Sequence, residues 1–543
     1  VHSVAKDYWY LNITPTQFDE IYAGTTLIKD KWLFERAPTS DEDMIMNYMP
    51  CKLWRLNNLY TIRDKFGTPM KFNLHRAQHL AYAASLRHSR LIILKSRQQG
   101  ISTLWLISFF DDAVFMENMN CGLMAQDADA ATDLLERVTY AWDDLDDSVK
   151  SLLGIERVVN NSKVTQFNNG SKIFVRTSFR SGTLTRLHIS ELGKIANKYP
   201  ERAKETNSGS LQAIKAGNTV IIESTAEGRD NLFAQKWKTS ENHVGILSEM
   251  HFAPLFLSWV DDPDCTLNIP VRMKKEDTEY VEMVQRDLDI ELTDSQKWWC
   301  AAKREELGDE YDREYPYNPE SAFSQARDGS YYGRLIKTLR DEGRLVKGAF
   351  EPELRVTVSL DLGINDTFEM LFWQSDTTVS GRIQIRLIDH YHNTGESLAH
   401  YVSVLRGRNY RYDRFVLPHD AKKRELGSAA SISKQLRDLG MTKQKILARE
   451  DVLPGIQAVR EMMPLLWVDS EKCEYVISAF ENYTKEWDSR LGVWRDKPRH
   501  DEWSNPMDAV RYYAMYRVRD VVGKRGKKKG TKNSSNVVDG LAI

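Results

Sequence analysis

Between residues 91 and 225 short apolar runs alternate with stretches whose apolar residues recur at helical spacing, the pattern of an α/β domain with a largely parallel sheet. LIILK (91–95) has four apolar residues, too few for a helix, and leads through polar SRQQG (96–100) into the helical stretch STLWLISFFDDAVF (102–115). NCGLMAQD (120–127) followed by DAATDLLERVTYAWDDL (129–145) repeats this strand, loop and helix arrangement. VTQFNNGSKIFVR (164–176) is two alternating runs around Asn169 and Gly170, a hairpin signal because both residues tolerate positive φ. RLHIS (186–190) and NTVIIEST (218–225) predict two further buried strands, separated by a helical stretch over 200–216. From about 252 to 323 the chain is aromatic and charged with helical spacing. A second α/β unit begins near Leu354, with VTVSLDLG (356–363), TFEMLFWQ (367–374) and RIQIRLIDHYH (382–392) as successive strands of a meander.

The length of 543 residues predicts two to four domains. With 41% hydrophobic and 28% charged residues the chain has the profile of a globular protein, not a disordered or fibrous one. Lys plus Arg (75) nearly cancels Asp plus Glu (77), so net charge gives no hint of a nucleic-acid partner; locally, however, Arg517 to Lys532 carries eight basic residues against the single Asp520, a basic tail. The five cysteines are scattered and form no CxxC pair, which suggests neither a disulfide framework nor a zinc site and fits a reducing cytoplasm. No apolar run approaches the roughly 18–20 residues that span a bilayer, and VHSVAKDYWYLN lacks the features of a secretory signal, so the expectation is a protein neither membrane-embedded nor exported.

Two sets of residues carry chemistry. A phosphate loop uses backbone N–H groups and a helix N-terminus, a Lys against the phosphates and a Ser or Thr hydroxyl on Mg²⁺. Lys95, Ser96, Arg97, Gln98, Gln99, Gly100, Ile101, Ser102 and Thr103 have that layout, with Lys95 where the first Gly is expected and Ile101 where the Lys is. A displaced cation, Lys95 or Arg97, would reach the phosphates instead. LHISE (187–191) ends in Glu191 at a strand's C-terminal edge, where a carboxylate activates water for in-line attack. ESTAEG (223–228) follows the next strand, and its Ser224 and Thr225 are suited to sensing the phosphate and passing a shift onward. Taken singly these are also a basic turn, a surface Glu and a tight turn; their order on consecutive strands favours the site.

In the second half Asp361 sits late in an apolar strand, Asp420 ends RFVLPHD (414–420), and Asp508 opens the apolar helix NPMDAVRYYAMY (505–516). Cleavage of a phosphodiester by two Mg²⁺ or Mn²⁺ ions needs several carboxylates on adjacent elements, because hard cations take oxygen ligands. The plainer reading of each is a turn or a helix N-terminus. Asp366, Asp501 and His500 lie near two of the three in sequence as accessory candidates, and Lys422, Lys423 and Arg424 follow Asp420 as backbone-phosphate candidates.

The phosphate loop of SRQxG type, the strand ending in SE, the ESTAxG-like motif, and then the DxG strand, the HDA-like strand end and the PxDAxRY-like helix, in that order, resemble the large terminase subunit of tailed bacteriophages, over about Arg55 to Tyr516. The resemblance implies an N-terminal P-loop ATPase with a parallel-rich sheet and a small lid subdomain, followed by a ribonuclease H-like nuclease domain. Its boundaries here would be an extension (1–50), ATPase core (51–251), lid (252–330), linker (331–353), nuclease (354–520) and basic flexible tail (521–543). RLNNLYTIRDKFGTPMKFNLHRAQ (55–78) resembles the family's adenine-recognition region, with Gln78 reading the base, and Arg180 matches the position of a trans-acting arginine finger. The implied function is ATP-driven translocation of double-stranded viral DNA, with a metal-dependent endonuclease cutting concatemers when packaging starts and ends. The implied cofactors are ATP with Mg²⁺, held at Ser102, and two Mg²⁺ or Mn²⁺ at Asp361, Asp420 and Asp508. The implied partners are the portal protein, a small terminase subunit and further copies of the chain in a ring, in the host cytoplasm and transiently at the procapsid portal vertex, not in the mature virion. A helicase-nuclease of DNA repair and a nucleotide-gated DNA clamp with a degenerate ATPase are the competing classes. The first would carry a second motor domain where this chain has a DLG strand, and Glu191 argues against the second.

Overall fold

The computed structural model describes residues 14–64, 67–179, 184–212, 214–229, 231–323, 329–363, 367–377, 383–422 and 430–528. The chain forms two compact units, Val1–Gln325 and Ala326–Ile543.

The first unit is built on an eight-stranded sheet of β1 (Arg90–Lys95), β2 (Asn120–Met124), β3 (Arg157–Asn161), β4 (Val164–Phe167), β5 (Lys172–Arg176), β6 (Arg186–Ser190), β7 (Thr219–Ser224) and β8 (Ala253–Leu257), in the order β8-β1-β7-β6-β2-β5-β4-β3. The strands from β8 across to β5 pair in parallel, and the β3 to β5 edge is antiparallel. A parallel strand is buried on both faces and so reads as an unbroken apolar run. In β1, Leu91 and Ile93 enter one hydrophobic core while Ile92 and Leu94 enter the core on the opposite face. The first core also takes α2 (Arg76–Arg87) and α3 (Ile101–Phe115), the latter buried almost all round. The Asn169 and Gly170 hairpin forms as expected, with Gly170 at φ +81°.

Several segment boundaries differ from expectation. Residues 15–50 are not a separate extension: α1 (Pro15–Tyr22), capped by Thr14 and Gln17, sends Phe18 and Tyr22 into the first core, and Phe34 and Tyr48 join them. Residues 253–257, expected in the lid, form β8 of the main sheet because Ala253 and Leu257 pack into that core. The chain beyond β8, including α5 (Lys275–Leu288) and α6 (Asp294–Leu307), has its own aromatic core of Trp259, Tyr280, Trp299, Tyr311, Tyr315 and Tyr317. Residues 331–353, expected as a linker, belong to the second unit, where Tyr331, Tyr332, Ile336 and Leu339 are core residues.

The second unit has a seven-stranded sheet of β9 (Leu345–Val346), β10 (Val356–Asp361), β11 (Phe368–Thr377), β12 (Ile383–Asn393), β13 (Tyr412–Leu417), β14 (Gln444–Ile446) and β15 (Leu466–Asp469), ordered β9-β15-β12-β11-β10-β13-β14. β10, β11 and β12 are the expected antiparallel meander, and the flanking pairs are parallel. Alternate residues of β11 feed opposite cores, Leu371 and Trp373 one and Met370 and Phe372 the other. A long helix, α7 (Ser504–Lys528), packs on β10, β11 and β13, and continues past residue 520 into the segment expected to be a flexible tail. Tyr513 of α7 stacks on Trp373 of β11 at 4.2 Å between centroids and 3° between planes.

Candidate functional site

In the first unit the loop after β1 enters α3 with Gln98 at φ 65° and Gly100 at φ 59°. Left-handed residues alternating with right-handed ones turn successive N–H groups toward one concavity, and the first turn of a helix adds N–H groups without intrahelical acceptors. A side chain at position 100 would bring Cβ to 2.7 Å from Gln78 Nε2, so any residue but glycine would displace the Gln78 amide as well as holding a left-handed φ. Gln78 is buried and donates to Gly100 O at 2.9 Å, bracing the loop from α2. Ile101, in the place of the usual Lys, is a core residue 1% exposed, so only its backbone faces the loop.

Lys95 is instead the centre of a buried charge network. Its Nζ lies 3.1 Å from Glu191 Oε1 and 3.2 Å from Glu223 Oε2. Burial alone would lower its pKa, but Glu191 and Glu223 together outweigh burial and hold it above the ordinary lysine range. Glu223 also accepts from Ser102 Oγ at 2.6 Å and Ser190 Oγ at 2.8 Å. Burial raises both carboxyls, and Lys95 chiefly, with Lys194 for Glu191 and His188 and Ser102 for Glu223, brings both below the usual range. Glu191 follows β6 in the left-handed region, φ 57°, and its backbone N–H donates to Glu223 O, which ties the ends of adjacent parallel strands. Ser224 and Thr225 hydroxyls donate to Glu191 Oε2 at 3.5 Å each, and Ser224 Oγ accepts from Gly193 N in α4 (Leu192–Lys198).

The network thus brings together Lys95, Ser102, Glu191, Ser224 and Thr225. Other loop residues point elsewhere. Arg97 pairs with Glu314 at 3.4 Å, Gln99 Nε2 donates to Ser258 O, Ser96 Oγ donates to Pro316 O, and Thr103 accepts from Arg137. Gln98 is exposed. Arg180 lies outside the described residues.

In the second unit, parallel pairing of β10 with β13 sets Ser359 opposite Val416, so Asp361 and Asp420 come at the same edge of neighbouring strands. Asp508 approaches from the first turns of α7. Burial, then the negative charges of Asp508, Asp420 and Glu369, push the Asp361 carboxyl well above the usual range, against the opposing charge of Arg511. The acids therefore stand close enough to repel, the condition a bound cation relieves. Among the described residues Asp420 Oδ1 is buried without a hydrogen-bond partner, and a hard divalent cation satisfies such an oxygen. Arg511, one turn along α7, donates to Asp508 Oδ1 and restrains it. Asp501 is engaged by Arg499 and caps Trp503 N, His500 Nδ1 is 3.1 Å from Ser504 Oγ, and Lys422 is exposed; Asp366, Lys423 and Arg424 lie outside the described residues.

Sequence reasoning did not single out Glu223, Lys194, Arg511 or Glu369. A charged residue inside the run TVIIES was the available signal for Glu223. Among the described residues no helix is long and apolar enough to cross a membrane.

No family model matches the chain, and no curated protein matches it. Among solved structures it is similar to the large terminase of a thermophilic bacteriophage, at 15% identity over 80% of this chain and 94% of that one, TM-score 0.27. It is similar to the HK97 bacteriophage large terminase at 10% identity over 86% and 98%, TM-score 0.39. A further similar structure is the nuclease domain of g2p, the large terminase of bacteriophage SPP1, with bound Mn, at 20% identity over 30% and 86%, TM-score 0.24. The chain is thus similar, at low identity, to large terminase structures from several phages.

Proposed function

We propose that the chain is a phage DNA-packaging motor, an ATP-hydrolysing translocase of double-stranded DNA that also carries a metal-dependent endonuclease. The observation that carries the reading is the meeting of Lys95 and Ser102, at the two ends of one loop, with Glu191 of another strand end, joined through Glu223. The backbone of 98–101 would cradle phosphates, Ser102 would hold Mg²⁺, and Gln78 would read the base from its place against Gly100. Mg²⁺ would supply neutralisation of phosphate charge. Glu191, kept ionised by Lys95 and Lys194, is suited to orient and deprotonate water. Because Ser224 and Thr225 donate to Glu191, a change in its charge or position is felt in the following loop, which supports their coupling role.

In the second unit Asp361, Asp420 and Asp508 would hold two Mg²⁺ or Mn²⁺ ions, which would supply an activated water and stabilise the leaving oxygen. The chain's own residues keep the carboxylates at one sheet edge and, through Arg511, fix Asp508. The motif resemblance extends the reading to a ring of copies on the portal, a small terminase subunit as partner, Arg180 acting on a neighbouring copy, and action in the host cytoplasm at the procapsid. The test is a separation of activities. Glu191→Gln should abolish DNA-stimulated ATP hydrolysis and spare plasmid cleavage, and Asp361→Ala should do the reverse. Full ATPase activity in Glu191→Gln, or full cleavage in Asp361→Ala, rejects the corresponding half.

A further inference from the structure

Strands β11 and β12 bring Glu369, the neighbour of Asp361, together with two histidines that the nuclease reading does not use. Glu369 directly faces His392 in the antiparallel register, and His390, two residues along β12, shares that face by strand alternation. Candidate ligand atoms of the three all lie within 4.8 Å of one another. Glu369 and His390 are buried and His392 is exposed, so the cluster is rooted in the sheet and open on one side. Tyr475 stacks on His390 with centroids 5.4 Å apart and lies tilted against His392 at 4.5 Å, which limits the orientations of the two rings.

We propose that Glu369, His390 and His392 form a cation site distinct from the three aspartates, selective for a late first-row divalent ion such as Zn²⁺ or Co²⁺. Two imidazoles and one carboxylate are donors that such ions favour, whereas Mg²⁺ prefers an all-oxygen shell. A tetrahedral ion with bonds near 2.0–2.1 Å needs ligand atoms about 3.3 Å apart. Glu369 Oε2 and His390 Nε2 stand at 2.6 Å as a hydrogen bond, so the ion would replace that bond by two metal–ligand bonds with a small opening of the pair. His392, at the exposed side, would close the set, and solvent would complete the coordination. On its other side Glu369 faces Asp361 across β10 and β11, so the ion would sit on the same sheet face as the aspartate edge, one strand over.

The inference stands apart from the nuclease reading and is tested on the full-length chain in an Asp508→Asn background, which weakens the aspartate set. Titration with Co²⁺ should give the visible d–d absorption of a nitrogen-liganded ion at one equivalent, displaced by Zn²⁺ but not by millimolar Mg²⁺. His392→Ala, at an exposed position, should weaken Co²⁺ binding at least tenfold with an unchanged far-UV circular dichroism spectrum, and Glu369→Gln should do the same. Absence of the absorption overturns the proposal. So does an absorption that survives His392→Ala and Glu369→Gln but disappears with Asp361→Asn, since the ion would then belong to the aspartates.

Discussion

Replacing Lys95 by methionine keeps the length of the side chain and removes the charge at the centre of the first unit's network. Lys95 Nζ is 3.1 Å from one glutamate and 3.2 Å from the other, and at an effective dielectric of about 20 each attraction is worth about 5 kcal/mol. The cost of burying the ammonium offsets much of this, and deleting one partner of a buried pair typically destabilises by about 3–5 kcal/mol, because the remaining charge is left uncompensated. Here two carboxylates would be left, with Lys194 beside Glu191 alone. The pH dependence fixes the sign. In the parent both carboxyls are held below the ordinary value of 4.5, so they add stability that is present above that value and lost as pH falls through their folded values. In Lys95→Met burial and mutual repulsion raise them, so their contribution is instead lost as pH rises. The deficit should therefore be largest near pH 8 and shrink toward pH 5. Calorimetry of the first unit's transition at both values measures it, and adding Glu223→Gln should recover most of the loss. A deficit below about 1 kcal/mol at pH 8, or one that does not narrow at pH 5, refutes the account of a charge network dominated by Lys95.

Gly193→Ala would place a Cβ 2.8 Å from Ser224 Oγ and 2.9 Å from Thr225 O, so the loop after β7 must move; if that loop couples as proposed, kinetics should show kcat for ATP falling while nucleotide binding is retained. Asp361 must lose its proton to bind metal, so Mn²⁺ affinity by calorimetry should climb with pH through its raised value, and Asp508→Asn, which removes a repelling charge, should shift that rise to lower pH. His79, buried against Tyr22, has its pKa lowered by burial from 6.5 to about 3, so it adds stability above pH 6.5 that is lost as pH falls toward 3. Linkage puts the loss at about 2 kcal/mol by pH 5. Urea midpoints at pH 7 and 5 should show it in the parent and less of it in His79→Phe.

Much of both sheets was legible because buried parallel strands write themselves as apolar runs and their C-terminal edges as the first charge after the run. Glu191, Asp361 and Asp420 were found that way. Glu223 escaped because it lies inside such a run, and what makes a charge tolerable there is Lys95, 128 positions away in sequence. The alternation in IDHYH put His390 and His392 on one face, but their carboxylate partner stands on another strand, and pairing across a sheet is not written in either segment alone. Segment boundaries were misplaced for a related reason. Phe18, Tyr48 and Tyr332 have no periodic signature that tells which distant core they enter. Arg97 and Lys95 were interchangeable as cations in the sequence, and only packing separates the one held by Glu314 from the one between Glu191 and Glu223.

The loop after β1 is clamped where the chain enters the aromatic subdomain and again where it leaves. Ser96 N donates to Leu257 O and Gln99 to Ser258 O on the way in, while Arg97 N donates to Glu314 O on the way out. Loop and subdomain thus share a fulcrum. A helix of 14 residues such as α5 is about 21 Å long, so a shift of a few tenths of an ångström at the clamp, acting a few ångströms from the pivot, grows to about 1–2 Å at the far end of such an arm. The three bonds hold together at about 0.5–1.5 kcal/mol each, enough to make the arm follow small movements of the loop and to let it slip under large ones.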